Sequence, residues 1–545
     1  MQPKKTSLLQ PEWIAALLIT AAIVVLHFYY WLHIGGLWRD EVNLVNLSGS
    51  HSLAEMEKDS FPILMPLALH VWMAVGLGNS DLNLRLFGLL VGLGIVALLW
   101  VSRWKIRHAP PLLGLVLLGL NSTLIFFGDS LRAYGLGSLF ALALTASAFL
   151  FLQKPSVSRV IWLALLAILS VQVLYHNAVL VAAICFGAWS VCWRRKDRPA
   201  ALQILFVAII SAASLLPYLH NFISSGGAAA VFRTGVKLRR FFWSYEDTLG
   251  YPLSGYIYVW ALLALIIIAC AAAALRRHSG AGAGNGEAFV EEDFRLFASV
   301  TLILIVVGFP VFFWRAQMPM QSWYLLPFMA SAVVCFDAAL PVFSGLLRAV
   351  FLALVVGTAL LSTLTTANLL TRRFSDVNIY ARELMANAAP RDYIIVSPWT
   401  CGITFDYYFK GVTPWDTLPP LSDHSIHRVD LVLAEMENTN AMAPVFGKIS
   451  QTLQSGDRVW FLETAGMDIP QPGTPMLHPL PPPPLKYSGW SESPYSAVWA
   501  SQTLQFIADH SDKFKRFKYS SLDGFVIENM DVFVADGWRT NSMGR

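Results

Sequence analysis

Long apolar runs decide what this chain can fold into. Eleven segments (12–34, 84–102, 111–128, 136–153, 159–175, 177–193, 201–220, 253–275, 294–313, 323–343 and 346–368) are almost free of charge. Each is close to the twenty or so residues an α-helix needs to cross the bilayer's hydrocarbon core. Residues 370–545 contain no such run and have the mixed polarity of soluble sequence. The imbalance carries through to the whole: 545 residues, 56% hydrophobic and only 14% charged, where a soluble domain has about 25% charged residues. The sequence predicts a polytopic α-helical membrane domain over 1–369. It is followed by a soluble domain over 370–545, long enough to bury a core of its own.

The net charge of +4 gives no reason to expect nucleic acid. Of the five cysteines, Cys185, Cys192, Cys270 and Cys335 lie in apolar segments and read as buried thiols. Cys401 has no partner for a disulfide within the tail, and no Cys/His spacing suggests a metal site. Lys4 and Lys5 precede an apolar stretch from Trp13 to Leu32. It is too long for a signal-peptide core and reads as a retained first span.

Charge placement sets the topology. One further apolar segment, 62–78, is short and holds two prolines and a histidine. If it does not span, the clusters at Arg103/Lys105/Arg107, Lys154/Arg159, Arg194–Arg198, Arg276/Arg277 and Arg348 all fall on the side of Lys4 and Lys5. If it does span, all five move to the other side, against the rule that Lys and Arg collect in the cytoplasm. The segment is therefore predicted to lie along the outer face as a juxtamembrane helix, and the tail from 370 is predicted to be non-cytoplasmic. The Gly/Ala-rich stretch 276–293 reads as a cytoplasmic loop, and Pro470–Pro484 as an extended surface loop. In the tail, a helical pattern over 377–388 and β-like runs at 392–397 and 456–464 predict a small α/β domain.

This topology gathers the unusual polar residues on the outer side. Asp40 and Glu41 follow the first span, and Asp59 precedes the juxtamembrane helix. The turns GDSLRAYGL and LYHNAVL hold Asp129, Arg132, Tyr134, Tyr175, His176 and Asn177. The loop 221–252 carries Arg233, Lys237, Arg239 and Arg240, and a later turn carries Arg315 and Gln317 before Trp323 and Tyr324. Taken singly, an acidic pair at a helix end is a solvated boundary, Arg132 and His176 are snorkelling or capping groups, and the aromatics form an interface belt. The basic run 233–240 opposes the topogenic bias. Its Arg233, Lys237 and Arg240 share one helix face, a natural site for a lipid-borne phosphate.

The order of these pieces resembles the GT-C glycosyltransferases, in particular relatives of protein O-mannosyltransferase and lipid A aminoarabinose transferase of the bacterial type. The resemblance covers roughly residues 10–345. WRDE at 38–41 is similar to the acidic pair after the family's first span, and Arg85-Leu86 to the opening of its next span. SLRAYGL, LYHNAVL and SWYLLPFMA resemble three further family segments, the last with Trp323 in place of Arg. The element at Asp59-Ser60-Phe61-Pro62-Ile63 departs from the family's Asp-x-x-Pro-Pro-Leu.

The resemblance implies a GT-C-like fold of about eleven transmembrane helices plus outer juxtamembrane helices. It also implies transfer of a hexosyl or pentosyl group from a polyprenyl-phosphate donor to an acceptor hydroxyl at the outer face of a bacterial inner membrane, by inverting displacement. Asp40 matches the base position, with Glu41 as its neighbour or alternate. Asp59, Arg132, Tyr134, His176, Arg240 and Arg315 are the implied substrate-binding residues. Arg can meet the phosphate charge, so no cofactor or metal is required. The implied partners are the lipid-linked donor, membrane lipids and an acceptor that is protein, lipid or polysaccharide. A transporter or flippase of lipid-linked saccharides is the rival reading. It would more often show inverted repeats and midplane helix breaks, which the sequence lacks. A reporter fused after residue 370 is expected on the non-cytoplasmic side; a cytoplasmic reporter would overturn both the juxtamembrane assignment and the shared outer face.

Overall fold

In the computed structural model, the described residues are 10–57, 61–219, 238–278, 286–316, 318, 320–341, 343–472, 492–518 and 524–539. The chain divides into two compact units, one of residues 1–32, 52–220 and 236–370, the other of 33–51, 221–235 and 371–545.

The first unit is an α-helical bundle. Among the described residues, nine helices are long and apolar enough to cross a membrane: Pro11–His33, Asp81–Arg107, Ala133–Gln153, Asn177–Arg194, Arg198–Tyr218, Ser254–Arg276, Val290–Ala316, Ser322–Ala339 and Gly345–Leu369. Their burial is graded. Every residue from Leu326 to Ala339 is buried, whereas Leu346, Leu354, Leu360 and Leu364 on the last helix are exposed. Large aliphatics turned outward along whole helices are what lipid, rather than water, accepts. Two segments read as spans lie outside these nine. Val157–Val173 forms a 17-residue helix, at the short end of the spanning range.

The stretch 111–128 is instead broken into a short turn at Leu112–Gly114 and two π-turns, Leu115–Gly119 and Leu124–Gly128. Asn121 sits at the break, where its side chain accepts the N–H of Thr123 at 2.9 Å and donates to the Thr248 carbonyl at 3.0 Å. The Thr366 hydroxyl donates to the Leu120 carbonyl at 2.7 Å, and the Asp337 carboxylate accepts the Gly114 N–H at 3.0 Å. Irregular backbone in an apolar region is tolerated only where the protein itself satisfies it, as here.

The segment 62–78 forms a helix over Leu64–Trp72 and a π-turn over Met73–Leu77, with Gly76 at φ 90°. Together these 14 residues extend about 21 Å at 1.5 Å per residue, short of the roughly 30 Å hydrocarbon core.

Three of the five basic clusters, at 103–107, 154–159 and 194–198, meet at one end of the bundle. Arg107 donates to the Ala338 carbonyl at 2.7 Å and pairs with Glu291 at 3.2 Å. Arg194 and Arg195 share Asp293, each at 2.5 Å. Arg195 also reaches the Leu152 carbonyl at 2.6 Å, and Gln153 the Ile106 carbonyl at 3.2 Å. Arg159 donates to the Leu150 carbonyl and Arg103 to that of Asp337.

The second unit is α/β. Its strands are β1 (Arg373–Ser375), β2 (Tyr393–Val396), β3 (Trp415–Thr417), β4 (Val459–Thr464), β5 (Ser511–Lys518), β6 (Phe525–Glu528) and β7 (Met530–Trp538). Five of them form one sheet in the order β3-β2-β4-β7-β5, and β1 pairs with β6 in parallel. β2 is parallel to β3 and β4, and β7 is antiparallel to β4 and β5. Ile394, Val396, Trp460, Leu462, Val532 and Val534 bury one face against Val377, Tyr380, Leu384 and Phe405 of the helices Val377–Asn387 and Trp399–Tyr408. The alternate residues Tyr393, Ile395, Phe461 and Phe533 are buried on the opposite face. A sheet covered on both faces explains why Val459–Leu462 is continuously apolar. The helix Arg39–Ser48 belongs to this unit by its contacts and packs on the Trp399–Tyr408 helix, with the Leu37 N–H donated to the Tyr408 hydroxyl at 2.5 Å.

Candidate functional site

In the first unit, helix direction separates the two ends of the bundle. Ala133–Gln153 and Asn177–Arg194 both end among the basic clusters, so their starts lie roughly 30 Å away at 1.5 Å per residue. Arg132 and His176 stand at those starts. Arg132 precedes the first helical residue, is buried, and lays its guanidinium over the Phe61 ring at 4.5 Å. Phe61 meets Tyr134 edge-on at 5.4 Å, and Tyr134 meets Tyr324 at 5.7 Å. Tyr324 stacks on Phe313 at 5.3 Å and contacts His176 at 5.6 Å. The Nε2 of His176 is buried and has no hydrogen-bond partner among the described residues.

The tight turn before Arg132 depends on a close approach. A Cβ on Gly135 would fall 1.9 Å from the Gly128 carbonyl oxygen. Next to it His27, six residues before the end of the first apolar helix, meets Asp129 at 2.5 Å with both side chains buried.

Three of the residues implied by the resemblance, Arg132, Tyr134 and His176, are thus joined through Phe61 and Tyr324. Arg315 and Arg240 are exposed. Arg315 ends the Gly286–Ala316 helix, whose early residues Glu291 and Asp293 hold the basic clusters, so it lies at the same end as His176. Arg240 lies on the helix Leu238–Leu249, tied to the 320–322 segment by Ser244 (to the Met320 carbonyl, 2.6 Å) and Thr248 (to the Ser322 carbonyl, 2.8 Å). Asp59, like Arg233, Lys237 and Gln317, lies outside the described residues.

In the second unit, Asp40 and Glu41 are the second and third residues of the Arg39–Ser48 helix and have different surroundings. Glu41 is fully buried, and its carboxylate accepts the Trp38 N–H at 3.3 Å, half of a capping box. Asp40 is partly open, with 24% of its side chain exposed. Its Oδ1 lies 3.3 Å from His427 Nε2 and 3.8 Å from Arg39 Nε. Carboxylates at the first turn of a helix are favoured by its exposed N–H groups.

The start of this helix is clamped by Glu528, the last residue of β6. Its buried carboxylate accepts the Arg39 N–H at 3.0 Å and the Thr404 hydroxyl at 3.2 Å. The indole of Trp38 stacks on Phe374 at 5.3 Å. Gly35, at φ 79°, lies against Arg373, where a Cβ would fall 2.0 Å from the guanidinium.

Sequence reasoning did not single out His27, His427 or Glu528. For His27 a signal existed, an ionisable side chain inside an apolar run. For Glu528 it was weaker, a carboxylate in the apolar strand sequence FVIENMDVFV. His427 carries no local signal, since its partner lies 387 residues away. Among the described residues, no group of His, Cys, Asp and Glu is placed to hold a metal ion.

No family model matches the chain, and no curated protein matches it. Among solved structures, the chain is similar to ArnT from Cupriavidus metallidurans bound to undecaprenyl phosphate, at 12% identity over 83% of this chain and 93% of that one, TM-score 0.35. It is also similar to the archaeal oligosaccharyltransferase AglB from Archaeoglobus fulgidus in complex with an inhibitory peptide and a dolichol-phosphate, at 10% identity over 83% and 70%, TM-score 0.43. A second Archaeoglobus fulgidus oligosaccharyltransferase structure, tethered with an acceptor peptide, aligns at 11% identity over 96% and 74%, TM-score 0.43. Scores of this size leave the functional reading to the chain's own residues.

Burial pushes the Glu528 carboxyl up to about 7, against the opposing pull of Arg39 and the hydroxyls of Ser375 and Thr404. The folded state therefore holds this proton more tightly than the unfolded chain, where a glutamate titrates near ~4.3. The stability linked to Glu528 is complete at acid pH below the unfolded value and is lost as pH rises to about 7, roughly 4 kcal/mol in all. Hydrogen exchange of residues 37–48 should accordingly accelerate, beyond the intrinsic pH effect, between pH 5 and 8. Glu528→Gln should abolish that excess, and a wild-type profile without it would contradict this assignment.

Proposed function

We propose that the chain is a GT-C-type membrane glycosyltransferase of a bacterial inner membrane. It would transfer a hexosyl or pentosyl group from a polyprenyl-phosphate carrier to an acceptor hydroxyl on the non-cytoplasmic face. The observation that carries this reading is the contrast within the acidic pair. Glu41 is consumed in capping its own helix, whereas Asp40 keeps a carboxylate that solvent reaches, beside a histidine and an arginine. The helix that bears it follows an apolar helix of spanning length, Pro11–His33.

In the proposed reaction, Asp40 accepts the proton of the acceptor hydroxyl. The freed oxygen attacks the anomeric carbon, a new C–O bond forms with inversion, and the bond from that carbon to the carrier phosphate oxygen breaks. The electron pair leaves with the phosphate. A base must lie within hydrogen-bond reach of the proton it takes, and the growing charge on the leaving phosphate needs fixed positive groups or donors. In the first unit, Arg132 is the proposed phosphate ligand. Its guanidinium is preset by the Phe61 ring, and the orphan Nε2 of His176 is available to a polar ligand at the same end of the bundle. Tyr134 shapes that region. Arg240 and Arg315, exposed at the same end, suit the collection of an anionic lipid, and Asp59 is proposed for positioning the donor or acceptor.

The test is turnover of the lipid-linked pool. Membranes carrying the wild-type chain should convert polyprenyl-phosphate sugar to polyprenyl phosphate, followed by mass spectrometry. Asp40→Asn should lower the rate by about 10²-fold or more, in the range for loss of a general base, at unchanged protein abundance. Full turnover by Asp40→Asn would remove Asp40 as the base.

A further inference from the structure

Three side chains on one stripe of the Arg39–Ser48 helix reach the same short segment of the tail. Asp40, Asn43 and Asn46 are spaced i, i+3 and i+6, close to one face of a helix. Asn43 Oδ1 accepts the backbone N–H of His427 at 2.9 Å, and Asn46 Nδ2 donates to the Ser425 carbonyl at 2.6 Å. Asp40 Oδ1 meets His427 Nε2 at 3.3 Å.

The segment is braced from within. Asp423 accepts the Ser425 N–H at 2.9 Å and hydroxyl at 2.7 Å, and pairs with Arg428 at 2.7 Å. The imidazole stands edge-on to Trp399, centroids 6.0 Å apart at 87°. Backbone, ring plane and Nε2 are each fixed by a different neighbour.

This bracing holds a contact that remains open to water, with 27% of the His427 and 24% of the Asp40 side chain exposed. Exposed pairs add little to stability, so stability does not account for it. A carboxylate that must meet a hydroxyl in one orientation does account for it, because misplacement by about an ångström costs such a reaction roughly 10²-fold.

We infer that His427 is the positioning residue of Asp40: its Nε2–H donates to Oδ1 and holds the carboxylate in the rotamer that meets the acceptor hydroxyl. The inference rests on Asp40 being the base. His427 gives up no proton in the step. The acceptor proton passes to Asp40, and the bond changes are those described above. The role requires the tautomer protonated at Nε2.

The experiment uses the full chain in membranes, with two readouts: release of polyprenyl phosphate from polyprenyl-phosphate sugar, and binding of undecaprenyl phosphate. His427→Ala is expected to lower turnover about 10²-fold with binding of undecaprenyl phosphate unchanged. His427→Gln, which keeps an N–H within reach, should recover most of that loss. Asn46→Ala removes one of the two backbone ties of the segment while leaving the Asp40–His427 contact, and should cost clearly less than His427→Ala. If His427→Ala accumulates poorly, His427→Leu against His427→Gln gives the same comparison at conserved volume, and equal turnover of those two overturns the inference. Wild-type turnover by His427→Ala alongside an inactive Asp40→Asn overturns it while leaving the base assignment standing. A loss in Asn46→Ala as deep as in His427→Ala overturns it by reducing His427 to one stitch of a latch. Full activity of Asp40→Asn removes the base assignment and this inference with it.

Discussion

A carboxylate hidden from solvent holds the start of the helix that carries Asp40. Glu528 accepts the Arg39 N–H and the Thr404 hydroxyl, so a strand near the end of the chain fixes a helix that begins at residue 39. Burial of that carboxylate raises its proton affinity, a cost that the backbone N–H, the two hydroxyls and Arg39 only partly offset. At the same helix start Glu41 accepts the Trp38 N–H, whereas Asp40, partly open to solvent, lies beside His427 and Arg39.

The membrane unit solves a related problem with less charge. Its polar groups collect at the two ends of the helices. At one end, the carboxylates of Glu291 and Asp293 neutralise arginines from several helices. At the other, Arg132 is met by an aromatic face. Cation–π contact helps hold a guanidinium in place at a buried position. Inside the bundle, the break at 115–128 depends on partners from distant helices, namely Asp337, Thr248 and Thr366.

Much of this was legible in the sequence, for physical reasons. A run of twenty apolar residues has one common solution, so most membrane helices fall where hydropathy placed them. The expected tail helix over 377–388 is Val377–Asn387, and the β-like runs became β2 and β4, because period and β-propensity are local properties. The break within 111–128 was not legible, since what stabilises it is a set of side chains more than 120 residues away. Nor was the grouping of residues 33–51 with the tail, which is made by contacts such as Leu37 to Tyr408 and Asn43 to His427. The acidic pair at 40 and 41 was visible; its division into a capping and a solvent-facing carboxylate required Trp38, His427 and Glu528 in place.

The central claim is that this chain consumes a lipid-linked sugar to build a glycoconjugate. Its most direct test is a mass-spectrometric inventory of glycans and glycolipids in cells with and without the gene, under conditions where the protein is expressed. The account predicts that loss of the gene removes one sugar-bearing product and leaves its polyprenyl-phosphate donor in excess. Identical inventories would contradict it.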